Sequence, residues 1–205
     1  MKTEIIKLKG DWREVVDDCR TTVGKESLGK EPGKEFKIGI LVSEHSPIRD
    51  LIVKWRWKNM PHWVTVHWVR HKWEKFVESQ RTDRTGVDRT KLSQDEPQTF
   101  VGEANAQHLI DTFRKRLCFR ASPETREYAE DFKITLHGEQ PEISDVLVPN
   151  CIYRCGCPEM ETCKWYKKMV DKYPDLRSTN ITVRYRKYNE IFMKQTVIRR
   201  DQNEG

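Results

Sequence analysis

The run Leu51-Ile52-Val53-Lys54-Trp55-Arg56-Trp57-Lys58 sets the strictest limit on the fold. Val53, Trp55 and Trp57 alternate with Lys54, Arg56 and Lys58. A period of two puts three large apolar side chains on one face and three cations on the other. Such a segment reads as a half-buried strand, and two tryptophans on its inner face need a substantial layer to cover them. Seven Trp, six Tyr and seven Phe in 205 residues supply that layer and exclude disorder throughout.

Charged residues make up 34% of the chain and mean hydropathy is −0.83. No stretch approaches the ~20 apolar residues of a membrane helix, so a membrane-spanning role is excluded. Met1 to Lys7 lacks the apolar core and cleavage site of a secretory signal. The six cysteines are therefore expected as reduced thiols in a cytoplasm, not as a disulfide framework. Net charge is +6, which suits either an anionic partner or plain solubility.

Residues 3–8 read as a short strand. Asp11-Trp12-Arg13-Glu14 is a capping box opening a helix to about Val23, ended by Gly24. A Gly- and Lys-rich loop precedes a short buried helix over 36–44, broken at Ser46-Pro47. Pro61 opens a helix through His71. Residues 74–100 are polar with few apolar anchors and read as an extended loop or a ligand-binding segment. Helices are expected over 103–118, 122–136 and from Pro141, and a charged one from Pro158 to Tyr173. Residues 180–198 fit a strand pair or a helix. No linker divides the chain, so a single domain over 1–205 is expected, α+β, with a central mostly antiparallel sheet flanked by helices.

Four constellations can carry chemistry. His67, Arg70 and His71 fall at i, i+3 and i+4 of the helix from Pro61 and so share one face. Trp68 stands where a zinc hydrolase would need Glu, so the pattern suits a phosphate or an electron-rich ring. Lys72, Ser79, Gln80, Arg81, Arg84 and Arg89 then bring arginine forks and both kinds of hydrogen-bonding group within twenty positions. Asn105, Leu109, Thr112 and Arg116 fall on one helical stripe about 16 Å long. Each of these also has a plain reading, as a solvated face, a charged loop or an amphipathic helix. Cys151, Cys155, Cys157 and Cys163 can make a zinc site or remain buried free thiols, and their spacing is not a common pair motif. Neither a GxGxxG nor a P-loop is present: in the nearest miss, from Gly24 to Gly29-Lys30, Glu31 stands where the hydroxyl belongs.

His67-Trp68-Val69-Arg70-His71-Lys72 followed by Glu78-Ser79-Gln80-Arg81 resembles the signature of flavin-dependent thymidylate synthases. His45-Ser46-Pro47, Arg89-Thr90-Lys91-Leu92, Asn105-Ala106 with Arg116, and Arg120 to Arg126 resemble further motifs of that family, in the family's order. Lys72 replaces an arginine, Thr82 a tyrosine and His67 a common glutamine, Asp50 falls where a histidine often lies, and the 81–89 segment is short, as in phage-like forms.

The resemblance implies conversion of dUMP to dTMP by a homotetramer using FAD, with NADPH as reductant and methylenetetrahydrofolate as carbon donor. It implies cofactor contacts from Arg70, His71, Lys72 and Asn105. It implies substrate contacts from His67, Arg70, Ser79, Gln80, Arg81 and Arg116, with Arg89 reaching the phosphate from a neighbouring subunit. Arg116 would be the catalytic residue. No metal, membrane or nucleic-acid partner is implied. Two other readings stay open: a flavin-dependent hydroxymethylase or other pyrimidine nucleotide-modifying enzyme, and a basic nucleic-acid-binding module stacking bases on Trp and Arg.

Overall fold

The computed structural model describes residues 2–203, with side chains as far as Thr196. Met1 of the N-terminal reading and residues 204–205 of the C-terminal extension lie outside the described residues. In chain order the elements are β1 (Thr3–Lys9), α1 (Trp12–Thr21), α2 (Lys34–Ser43), β2 (Ile52–Pro61), α3 (His62–Trp68), β3 (Glu74–Val77), α4 (Thr82–Thr85), β4 (Pro97–Asn105), α5 (Ala106–Arg116), α6 (Pro123–Glu139), α7 (Pro141–Val146), α8 (Asn150–Tyr153), α9 (Trp165–Lys172) and α10 (Ile181–Asn203). Short 3-10 turns cover Ser46–Asp50, Arg89–Lys91 and Pro174–Arg177.

Backbone packing divides the chain into two compact units, one of Met1–Pro32 with Ser46–Leu109, the other of Gly33–His45 with Ile110–Gly205. The chain thus leaves the first unit at Pro32, returns at Ser46 and leaves again within α5. That interleaving explains why no linker is legible.

The first unit holds an all-antiparallel sheet in the order β1-β2-β4-β3, which bears out the expected antiparallel α+β architecture. β2 fulfils the alternation: Val53, Trp55 and Trp57 are fully buried while Lys54 and Arg56 face outward. β4 covers it with small and aromatic residues. Trp55 pairs with Gly102, and a Cβ on Gly102 would come within 2.3 Å of the Trp55 ring. Trp57 pairs with Phe100, rings 5.4 Å apart, and its indole N–H donates to Thr3 Oγ1 at 2.8 Å. Buried Gln98 is satisfied by the His62 ring at 2.9 Å. α1 begins as expected, with Asp11 accepting from Arg13 and Glu14 and the Glu14 carboxylate returning to the Asp11 N–H.

The second unit is helical. α6 buries Tyr128, Ala129, Phe132 and Leu136, and Phe113 meets Phe132 at 4.8 Å between ring centres. Lys133, on the same helix, is fully buried, donates to the Ser144 carbonyl and lies 5.5 Å from the Phe192 ring. Burial pulls its ammonium down to about 7.

Several expectations are corrected. Residues 74–100 are not a loop: they hold β3 and the start of β4. The third stripe begins at Ala106, not Glu103, so Asn105 ends a strand. Residues 158–164 are irregular, and α9 starts only at Trp165. The 180–198 alternative resolves to a helix. α2 is half-buried only, since Phe36 is exposed while Ile40 and Leu41 are not.

Candidate functional site

β3 organises the candidates of the first unit. It pairs with β4 from Glu74 opposite Glu103 to Val77 opposite Phe100. Residues entering β3 therefore lie at the Asn105 end of β4, and residues leaving it lie toward the Pro97 end. Four strand residues, about 13 Å, separate the two.

At the entry end α3 stops at Trp68, where the Val69 N–H bonds Thr65 O and the His71 N–H bonds Trp68 O. His67, Arg70 and His71 therefore do not share a helical face. His67 stays on α3, edge-on to Trp63 at 5.8 Å. His71 is instead oriented by aromatics: its ring stacks parallel to Trp73 at 6.3 Å and sits 6.3 Å from Trp68. Trp73 is buried on Trp55 and Phe100. Arg70 and Lys72 are exposed and make no ion pair among the described residues. Asn105 Oδ1 accepts the His108 N–H at 2.9 Å, capping α5 and leaving the side-chain NH2 as the donor a ligand would meet. Glu103 is held by Lys9 and, at 3.4 Å, by Lys54, and the Lys9 hydrogen bond keeps its carboxyl below the ordinary range.

At the exit end Glu78 closes the strand pair. Its N–H donates to Thr99 O at 2.9 Å and its carboxylate accepts the Thr99 N–H at 2.8 Å. Ser79 Oγ accepts the Arg81 N–H at 3.2 Å, while the Arg81 guanidinium forks onto Asp83 at 3.0 and 2.7 Å. Gln80 lies between them, half-buried. α4 ends at Gly86, whose φ of +72° favours glycine. Asp88 then caps the turn that carries Arg89. Arg84 and Arg89 are exposed, without an ion pair among the described residues.

The structure thus brings His71 and Lys72 to the same sheet end as Asn105. It puts Ser79, Gln80 and Arg81 at the other, followed by Arg89. Arg116 is the last residue of α5 and belongs to the second unit. Between it and Asn105, Leu109 and Thr112 are buried, so the middle of that stripe is core. Cys19 is the one cysteine of the first unit, and burial, then the Asp18 charge, pushes its thiol up, which makes it a poor nucleophile. Among the described residues no three Cys, His, Asp or Glu side chains are set for a metal, and no helix is long and apolar enough to cross a membrane.

Sequence reasoning missed the Trp73 platform and the strand-closing Glu78, although His71-x-Trp73 just before a short strand was a usable signal. It also missed a cavity of about 760 Å³ in the second unit, walled by Ile38, Val146, Tyr185 and Met193 with His137 and Asn189, which contains none of the candidates.

No protein-family model and no curated protein matches the chain by sequence. Solved structures do match. One is a UMP/dUMP methylase, PolB, from Streptomyces cacaoi bound with 5-Br dUMP, with a TM-score of 0.57 at 14% identity over 70% of this chain and 93% of that one. Another is the flavin-dependent thymidylate synthase ThyX from Helicobacter pylori complexed with FAD and dUMP, with a TM-score of 0.59 at 13% identity over 72% of this chain and 100% of that one. The fold is therefore the one these nucleotide-methylating proteins share, as the sequence resemblance implied.

Proposed function

We propose that the chain is a flavin-dependent enzyme acting on carbon 5 of a pyrimidine nucleotide, converting dUMP to dTMP. In this reading methylenetetrahydrofolate is the carbon donor and NADPH the reductant, and the protein works in a cytoplasm. The observation that carries it is a coincidence of two lines: motifs in one family's order over roughly residues 36–135, and a fold shared with a protein bound to FAD and dUMP.

The donor set supports a flat, anionic cofactor. Arg70 and Lys72 offer unpaired charge, His71 a ring held on an aromatic platform, and Asn105 a free NH2. When bound, FAD would supply the hydride and one-carbon chemistry. Ser79, Gln80 and Arg81 would hold the nucleotide, with His67 and Arg70 beside it. Arg89 would neutralise the phosphate from a neighbouring subunit of a homotetramer. Arg116 would stabilise negative charge developing on the pyrimidine, a task for a fixed cation. With the Cys19 and Cys118 thiols both pushed up by burial, polarisation of the ring by arginine is the route these residues favour.

A second reading draws on the exposed cations Arg70, Lys72, Arg84 and Arg89, which also suit a nucleic-acid backbone. Purified protein that carries flavin absorbance and binds dUMP supports the enzyme. Colourless protein that retards oligonucleotides with steep salt dependence supports the binder. Arg116→Ala should cut turnover on the order of a hundredfold while leaving flavin content unchanged, and Arg116→Lys should rescue poorly for want of the planar fork. A light-scattering mass near 24.5 kDa would contradict the tetramer.

A further inference from the structure

The cysteines of the second unit are not arranged as their sequence spacing suggests. Cys155 is exposed and committed elsewhere: its thiol lies 3.5 Å from the Arg177 carbonyl and accepts from the Tyr166 hydroxyl at 3.7 Å. Its φ of +55° turns the chain back, so that the Gly156 N–H meets Cys151 O at 2.9 Å. That turn returns Cys157 toward α8 and buried Cys151.

A second set of contacts delivers two more thiols. Phe119 stacks on Trp165, ring centres 4.8 Å apart and planes within 15°. Phe119 directly follows Cys118, and Trp165 lies two residues beyond Cys163. The Arg120 guanidinium reaches Glu161 at 3.4 Å, tying the same two segments together. The Arg120 N–H approaches Cys118 Sγ at 3.5 Å, as a backbone donor does at a thiolate. Burial pushes the Cys151 thiol up to about 12, with further contributions from Cys118, Cys157 and Cys163; the Cys118 thiol is likewise raised by burial first and then by Glu159, Cys163 and Cys157. Cys151 therefore has Cys118, Cys157 and Cys163 as charged neighbours, and Cys118 has Cys157 and Cys163.

We infer that Cys118, Cys151, Cys157 and Cys163 form a closed four-thiolate zinc site, in which Cys118 from the end of α5 takes the place that spacing alone would give to Cys155. The thiols do not yet stand at ligating distance. The irregular 155–164 segment, where Met160 is fully exposed, can supply the movement. Four soft ligands with no fifth donor select a tetrahedral thiophilic cation and leave no open position for catalysis. On binding, each thiol gives its proton to solvent and four S–Zn bonds form, so the site carries two net negative charges, with the Arg120 and Arg126 guanidinium groups near Phe119 to offset them. The metal would act as a staple for a segment that has little core of its own.

Metal analysis of the purified full-length protein should find about one zinc per chain. Cys118→Ser should lose it and Cys155→Ser should retain it. In the native protein only Cys19 and Cys155 should react with a thiol reagent, rising to all six after chelation. Cobalt exchanged into the wild-type protein should show tetrahedral ligand-field and sulfur-to-cobalt charge-transfer bands of four-thiolate intensity, which tests the set even if Cys118→Ser does not fold. Protein without zinc that gives no such cobalt bands would overturn the inference. So would full zinc in Cys118→Ser, loss in Cys155→Ser, or an iron–sulfur spectrum. None of these readouts depends on flavin or nucleotide.

Discussion

The inner face of β2 and the segment from Arg70 to Leu92 make opposite uses of the same residue types. In β2, tryptophans and cations alternate, each aromatic is fully buried, and the cations find carboxylates: Arg56 meets Glu4 at 3.1 Å and Lys54 meets Glu103. In the later segment Arg70, Lys72, Arg84 and Arg89 stand exposed and unpaired among the described residues. Burial fixes the first region, so its residues are explained by the fold. These exposed cations of the second region add little to the fold, so they need a partner from outside to account for them.

The sharpest test of that division is Trp55→Ala. It removes a fully buried ring from a layer shared with Trp57 and Trp73, and should cost about 3–5 kcal/mol in urea unfolding. Gly102→Ala comes next. Its Cβ would collide with the Trp55 ring, and about 1–3 kcal/mol should be lost. A cost below a few tenths for either would mean the sheet core is looser than described.

Asp50 probes the edge of the same core. Its hydrogen bond with Asp18, then burial and the neighbouring Asp18 and Glu14 charges, raise its carboxyl to about 6. A carboxyl raised on folding takes up a proton more readily in the native state. The stability it contributes is present in full below about 3.8 and is lost as pH rises through about 6. The gap in unfolding midpoint between Asp50→Asn and wild type should therefore widen in the variant's favour from pH 4 to pH 7. A gap that stays constant with pH would reject the carboxyl pair.

Smallest in stability, Arg70→Ala, Lys72→Ala and Arg89→Ala should each change unfolding by no more than about 0.5 kcal/mol. Their effect should appear in ligand binding instead, with flavin retention falling in the first two and nucleotide affinity in the third. Substantial unfolding of Arg89→Ala with normal nucleotide binding would reverse the comparison.

Legibility followed the same division. The β2 alternation, the Asp11 capping box and the Ser122-Pro123 helix start were readable because each is a local pattern that burial or capping reinforces. β4 was hidden because its inward residues are Gln98, Phe100, Gly102 and Ala104, two of them small, with Gly102 admitting Trp55, and one polar and bound to His62. β3 was hidden because it is an edge strand whose Phe76 faces solvent. Pro158 gave a helix-start signal that the chain does not obey. The candidate residues themselves came from motif order. Their sorting to two ends of β3 requires strand register, and the exchange of Cys118 for Cys155 requires contacts distant in sequence, Phe119 on Trp165 and Arg120 to Glu161, which no local pattern contains.

The central claim is that this chain activates carbon 5 of a pyrimidine nucleotide through a bound flavin. Tritium release from carbon-5-labelled dUMP, measured on the FAD-loaded protein with methylenetetrahydrofolate and NADPH, reads that step directly. The account predicts release that requires FAD and falls about a hundredfold in Arg116→Ala. No release from FAD-loaded wild-type protein, or equal release from Arg116→Ala, would contradict it.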